Sequence, residues 1–173
     1  MMKKLLMILA LGLSLWGTCV DNMLPSSAID RFVDNDDGSV SDNKTGLVWQ
    51  KCNYGMGYGD GVCGGSTEVM TWSVALQTTS DAYGLDDYEW RVPTIKELNS
   101  IRERSCSSPA FLGVFDYDGA VAQRYWSSTH ANATGNEAGL TEAMIINFKT
   151  GTIELQNKSD DTNITLRLVR TRQ

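Results

Sequence analysis

Histidine is nearly absent from this sequence: His130 is the only one in 173 residues. That removes the His-Glu-x-x-His metal site and the histidine-dependent triads. No Cys-x-x-Cys pair, no Gly-x-Ser-x-Gly elbow and no phosphate-cradling glycine loop occurs either. A lone histidine in a polar loop reads as a solvated side chain. Asp116 and Asp118 form a carboxylate pair in the sequence, yet the Asp-Gly turn that follows accounts for them. No catalytic residue, cofactor or metal is therefore nominated, and the chain is read as a non-enzyme.

Long apolar runs are lacking too. The longest, Leu5 to Trp16, falls short of the roughly 20 residues that span a bilayer. It follows Lys3 and Lys4 and ends in small residues, which is a signal-peptide layout. Residues 1–17 are read as that leader, with cleavage after Gly17, and residues 18–173 as one domain. The expected location is exported: periplasmic, outer surface or secreted. A lipoprotein acylated on Cys19 competes, but Trp16 fits a lipid-attachment box poorly.

Basic side chains are few, 15 against 21 acidic ones. The formal charge of −6 becomes −8 once Lys3 and Lys4 leave with the leader. Such a domain repels polyanions, so nucleic acid is excluded as a partner. Arg167, Arg170 and Arg172 remain as a local basic cluster.

What the sequence does have is four cysteines: Cys19, Cys52, Cys63 and Cys106. An even count in an exported chain favours disulfides, and four cysteines allow three pairings. Cys52 and Cys63 bracket a glycine-rich loop with little apolar content, so a bond across its neck is expected. Cys19–Cys106 follows by elimination. Zinc is disfavoured by the single histidine.

Asp37-Gly38 and the stretch from Asn43 to Gly46 are turn signals separating short apolar strands. Phe32, Val40, Leu47 and Trp49 would face inward, giving a small β-meander. The acidic cluster beside Gly38 fails as an EF-hand, because Val33 and Lys44 would fall at ligand positions one and twelve. A helix is expected from about Thr71 to Thr79, burying Trp72, Ala75 and Leu76. Next comes "WRVPTIKELNSI". Pro93 holds Val92 extended, Thr94 and Glu97 make a capping box, and Ile95, Leu98 and Ile101 form a buried stripe. This is a strand-to-helix corner, its helix running to about Cys106. Strands follow at "RYWSST", "AMIINF", "TIELQ" and "ITLRLVR", with the polar loop "HANATGNEAGL" before the second of them. Alternation puts Ile146, Phe148, Ile153 and Leu155 inside, and Ile164, Leu166 and Leu168 likewise. The class is α+β, two helices flanked by antiparallel strands.

"RFVDNDDGSVSDNKTGLVWQKC", "WRVPTIKEL", "YWSST" and the closing "LRLVR" together resemble the Lcl C-terminal domain family of exported bacterial proteins. Cys19, Cys52, Cys63 and Cys106 match a cysteine pattern of its members. The resemblance implies a C-type-lectin-like fold, distantly related to formylglycine-generating enzymes, in which the Arg91-Val92-Pro93-Thr94 corner is scaffold. The late cysteines of those enzymes have no counterpart after Cys106. The founding adhesin's recognition of sulfated glycosaminoglycans does not carry over to so acidic a chain.

The expected function is an exported binding module for a glycan or protein ligand. The alternative is a structural or assembly component of the envelope or a surface appendage, with a homo-oligomer as one form. Outward alternation nominates Asn147, Lys149, Glu154 and Gln156 as the recognition row, beside "HANATGNEAGL". The glycine-rich Cys52–Cys63 loop is the next candidate. Asn-x-Ser/Thr at Asn43, Asn132, Asn157 and Asn163 reads as turn chemistry in a bacterial chain.

Overall fold

The structure is a computed structural model that describes residues 18–20, 22–28, 30–77, 90–116, 124–131 and 138–172. The leader, Thr78, Thr79, Asp118, Asn132 and most of the "HANATGNEAGL" loop lie outside those residues. In chain order the elements are β1 (Thr18–Cys19), β2 (Phe32–Asp34), β3 (Ser39–Asp42), β4 (Leu47–Gln50), β5 (Met56–Gly59) and β6 (Val62–Gly65). Then come α1 (Trp72–Gln77), α2 (Ile95–Ser100), β7 (Cys106–Ser107), β8 (Arg124–His130) and α3 (Ala138–Thr141). β9 (Glu142–Asn147), β10 (Thr152–Asn157), β11 (Ile164–Thr165) and β12 (Val169–Thr171) complete the chain. The domain is mostly strand with short helices and belongs to the α+β class.

Two four-stranded sheets make the body, in the orders β12-β4-β3-β2 and β10-β9-β8-β11. The first grows from the meander. Asp37-Gly38 and the Asn43–Gly46 turn reverse the chain, and β2, β3 and β4 pair antiparallel in sequence. Phe32, Val40 and Trp49 point into one core, with Leu47 half-buried against it. Buried Arg31 forks onto Asp42, Nε to Oδ1 at 2.9 Å and Nη2 to Oδ2 at 2.6 Å, fixing the entry to the meander.

The second sheet buries both faces of its centre. Tyr125, Ile146 and Phe148 join the first core with the α2 stripe of Ile95, Leu98 and Ile101. Trp126, Ala143 and Ile145, on the opposite face, join a second core with Ile164, Leu166 and Leu168. Phe111 stacks edge-on against Phe148 at 4.8 Å and Phe115 at 5.9 Å, sealing the first core.

Four expectations are corrected. "ITLRLVR" is not one half-buried antiparallel strand: β11 runs parallel to β8, and β12 antiparallel to β4. Every residue from Ile164 to Val169 is fully buried, polar Thr165 and Arg167 included, because the segment passes from one sheet to the other through the interior. Ile153 and Leu155 are 47% and 51% exposed. They share the face of Met144 and Ile146, but β10 is the sheet edge and nothing among the described residues covers it. Leu76 is 42% exposed, since α1 buries Ala75 and only half of Trp72. α2 stops at Ser100, well before Cys106, where Ile101 caps it.

Both disulfides are formed. Cys19–Cys106 joins β1 to β7 across directly paired positions, and Cys52–Cys63 closes the β5–β6 hairpin. Among the described residues no helix is long and apolar enough to cross a membrane.

Candidate functional site

The proline corner is built as its spacing dictates. Thr94 caps α2 by accepting the amide of Glu97 at 3.3 Å, and Glu97 Oε2 accepts the amide of Thr94 at 2.7 Å. A cap of this kind contributes about 1 kcal/mol. Glu97 also takes the Arg91 fork at 2.6 and 2.9 Å, which holds its carboxyl below the ordinary range despite partial burial. Arg91 exchanges both backbone hydrogen bonds with Val169, and the Pro93 carbonyl accepts the amide of Ser128. Every strong group here serves a neighbour. The corner ties α2 to β8 and β12.

The predicted recognition row is divided. Asn147, Glu154 and Gln156 do share one face, but their polar atoms are engaged along the sheet. Asn147 Nδ2 donates to Glu154 Oε1 at 3.1 Å, and Arg124 donates to Gln156 Oε1 at 3.0 Å. Gln156 also donates to Asp160. Lys149 lies past the end of β9, exposed in the turn. The row is a half-buried brace ending at Lys149, which pairs with no carboxylate among the described residues.

The arginine cluster dissolves as well. Arg172 is exposed and Arg170 lies over the Trp90 ring at 5.2 Å, whereas Arg167 is fully buried. Arg167 donates to the carbonyls of Gln50, Lys51 and Asp116 and to Asn53 Oδ1. It stands over Phe115 at 5.3 Å and over Phe111 and Tyr125 at 5.6 Å each. Tyr125 donates to the same Asn53 oxygen at 2.7 Å, and burial pushes its phenol pKa up against the opposing pull of Arg167. This hub pins the chain just before the Cys52–Cys63 hairpin.

A cavity of about 230 Å³ opens where that hairpin meets the β2–β3 turn, lined by Asp37, Gly38, Gln50, Cys52, Met56, Gly57 and Tyr58. Its walls follow from local chemistry. Gly38 has a positive φ of 85°, and a Cβ there would come within 2.8 Å of Tyr58, so glycine allows the ring to close on the turn. Lys51 sits 5.0 Å from the Tyr58 ring centre and pairs with Asp34 at 2.6 Å, tying hairpin to meander. Burial alone would raise the Asp34 pKa, but the Lys51 hydrogen bond, the Asp36 amide and the Lys51 charge together hold it below the ordinary value.

Two polar groups in the cavity are held rigidly. Gln50 is buried, and its Oε1 accepts the amide of Leu168 at 3.1 Å. That bond turns its Nε2 the other way, and Nε2 has no acceptor among the described residues. Asp37 Oδ1 accepts both the amide and hydroxyl of Ser39, at 2.8 and 2.6 Å, and no described residue donates to its Oδ2. A fixed donor and a fixed acceptor thus flank an aromatic wall. Sequence reasoning named the hairpin as its second candidate and missed Gln50, whose position at the end of a strand carries no signal. Among the described residues no group of three or more His, Cys, Asp or Glu side chains gathers to hold a metal.

Residues 38–170, most of the chain, match the Lcl C-terminal domain. The chain belongs to the Lcl C-terminal domain family. No curated protein and no solved structure matches it. The matched span of this Lcl C-terminal domain begins at Gly38, after β2, and takes in the second sheet, β3, β4, the start of β12, the corner and the cavity hairpin.

Proposed function

We propose that the mature chain is an exported, non-enzymatic binding module that recognises a glycan or protein ligand outside the cytoplasm, with the cavity at the Cys52–Cys63 hairpin as its site. The observation that carries this reading is Gln50. Its oxygen is committed to the backbone at the cavity wall, and its donors, engaged by no described residue, remain available to a ligand there. Preorganised donors and acceptors on a disulfide-closed hairpin bind without large ordering cost. The perturbed carboxylates Glu97 and Asp34 are engaged by internal cations and favour no acid–base role. Two disulfides support export, and the C-type-lectin-like topology rests on the family resemblance. A structural or assembly role is the second reading, favoured by Ile153 and Leu155 exposed along a sheet edge.

The test starts with the oxidised chain 18–173 on a glycan array and in an envelope-extract pulldown. Gln50→Glu keeps the acceptor for Leu168 and removes the donors, and should weaken the captured ligand at least about tenfold, some 1.4 kcal/mol. Tyr58→Ala should do the same. Replacing Asn147, Lys149, Glu154 and Gln156 together by Ser should leave affinity unchanged in the folded protein. The reverse pattern would move the site to the β9–β10 face.

A further inference from the structure

We infer that β10 is a docking edge for a second copy of this chain, the two β10 strands pairing antiparallel about Leu155 into one eight-stranded sheet. The inference is independent of the cavity.

The edges of the two main sheets are unequal. β2 and β12 are three residues long and β11 only two, too short to template another strand. β12 also carries Arg170, and the chain beyond it Arg172. β10 is six residues, paired with β9 along its whole length from Thr152 to Asn157 without a bulge. In such a pair alternate residues turn their amide and carbonyl away from the neighbour. Those groups on β10 meet no further strand among the described residues. The sequence "TIELQN" contains no Lys or Pro, the usual protections of a sheet edge.

The side chains point the same way. Ile153 and Leu155 extend the apolar face of Met144 and Ile146 past the sheet edge, 47% and 51% exposed. A strand added alongside would continue that face. On the other face, Asn147–Glu154 and Arg124–Gln156 hydrogen bonds tie β10 to β9 and β8, which lowers the ordering cost of pairing.

Self-complementarity selects the occupant. Whole-molecule charge opposes association of copies, but from Lys149 to Asp160 two lysines balance two carboxylates. A two-fold centred on Glu154 would set two carboxylates opposite each other, which is unfavourable. Centred on Leu155, the pairing sets Leu155 against its own copy on the apolar face. Glu154 then faces Gln156 of the second copy. That register has isologous, closed symmetry and ends in a dimer.

Sedimentation equilibrium of the oxidised chain 18–173, from roughly 10 µM to 1 mM, should show a monomer–dimer equilibrium. Amide exchange along Thr152–Asn157 should slow as the dimer forms. Leu155→Lys should weaken association at least about tenfold without changing the melting curve. Leu155→Cys should crosslink two copies on oxidation, since directly opposed positions lie within disulfide reach. Ile153→Cys should not, because it faces Asn157 of the second copy. A monomer at every concentration, a dimer indifferent to Leu155→Lys, or crosslinking by Ile153→Cys alone would each overturn the proposal. So would a monomer whose capture of a different protein depends on Leu155, which would hand the edge to that partner.

Discussion

Glu103 and Arg167 sit at opposite ends of the charge scale and are both buried, at 1% and 0% exposure, without an ion-pair partner among the described residues. Each is held by dipoles. Glu103 accepts from the amides of Ser26, Ser27 and Ser105 and from the hydroxyls of Ser26 and Ser105. Arg167 donates to three carbonyls and a carboxamide oxygen. Each charge also fixes a peripheral segment that a disulfide fixes again. Glu103 and Cys19–Cys106 hold the N-terminal strap; Arg167 and Cys52–Cys63 hold the cavity hairpin. Segments with little apolar surface are thus anchored by buried polar groups and crosslinks, where a larger core would use packing. The two anchors differ in one respect: a carboxylate can be neutralised by acid and a guanidinium cannot.

That comparison breaks first at the disulfides. The loop closed by Cys19–Cys106 spans 87 residues and that of Cys52–Cys63 spans 11. In the chain-entropy picture, replacing the first pair by Ser should cost about 4–5 kcal/mol and the second about 3 kcal/mol. Urea midpoints of the two double variants check the order. Equal losses would mean the strap is held chiefly by its hydrogen bonds.

Arg167→Met comes next. It strands the carbonyls of Gln50, Lys51 and Asp116 and should cost on the order of 3 kcal/mol. Exchange of the Met56–Gly65 amides should rise more than exchange at the strap. Arg167→Lys should not restore stability, because one ammonium cannot reproduce the fork across four acceptors.

The smallest effect should be the most selective. Burial would raise the Glu103 pKa, but the Ser105 and Ser26 amides and hydroxyls overcome it and hold the carboxyl at about 2 against an ordinary 4.5. A depressed carboxylate contributes its stability above the unfolded value, and loses it as pH falls through the folded one. Up to about 3 kcal/mol should therefore be present above pH 4.5 and fade towards pH 2. Acid titration followed by amide exchange should loosen Ser26 and Ser27 before the hairpin. Glu103→Gln should flatten the profile in that window. A hairpin that opens first would reverse the assignment of anchors.

Elements whose signals are local were legible in the sequence. The Thr94–Glu97 cap and the Asp37-Gly38 turn depend on residues a few positions apart, and the folded chain uses both. Cys52–Cys63 needed only its short loop. The failures share a cause. Alternation in "TIELQ" shows which residues share a face, but not whether that face is covered, so Ile153 and Leu155 were read as buried. In "ITLRLVR" it suggested an outward Arg167, because no local pattern says that a second sheet lies on the other side. The cavity was beyond reach for the same reason: it joins Asp37, Gln50 and Tyr58 through contacts between separate hairpins.

The sequence alone determined the α+β class, the turns, the helix start at Thr94, the Cys52–Cys63 bridge and the acidic balance, since each rests on near neighbours or on composition. Tertiary structure alone decided which strand became an edge, which arginine became a hub and which glutamine was left with open donors. Those outcomes depend on what packs against a segment from far along the chain, and backbone periodicity carries no record of it.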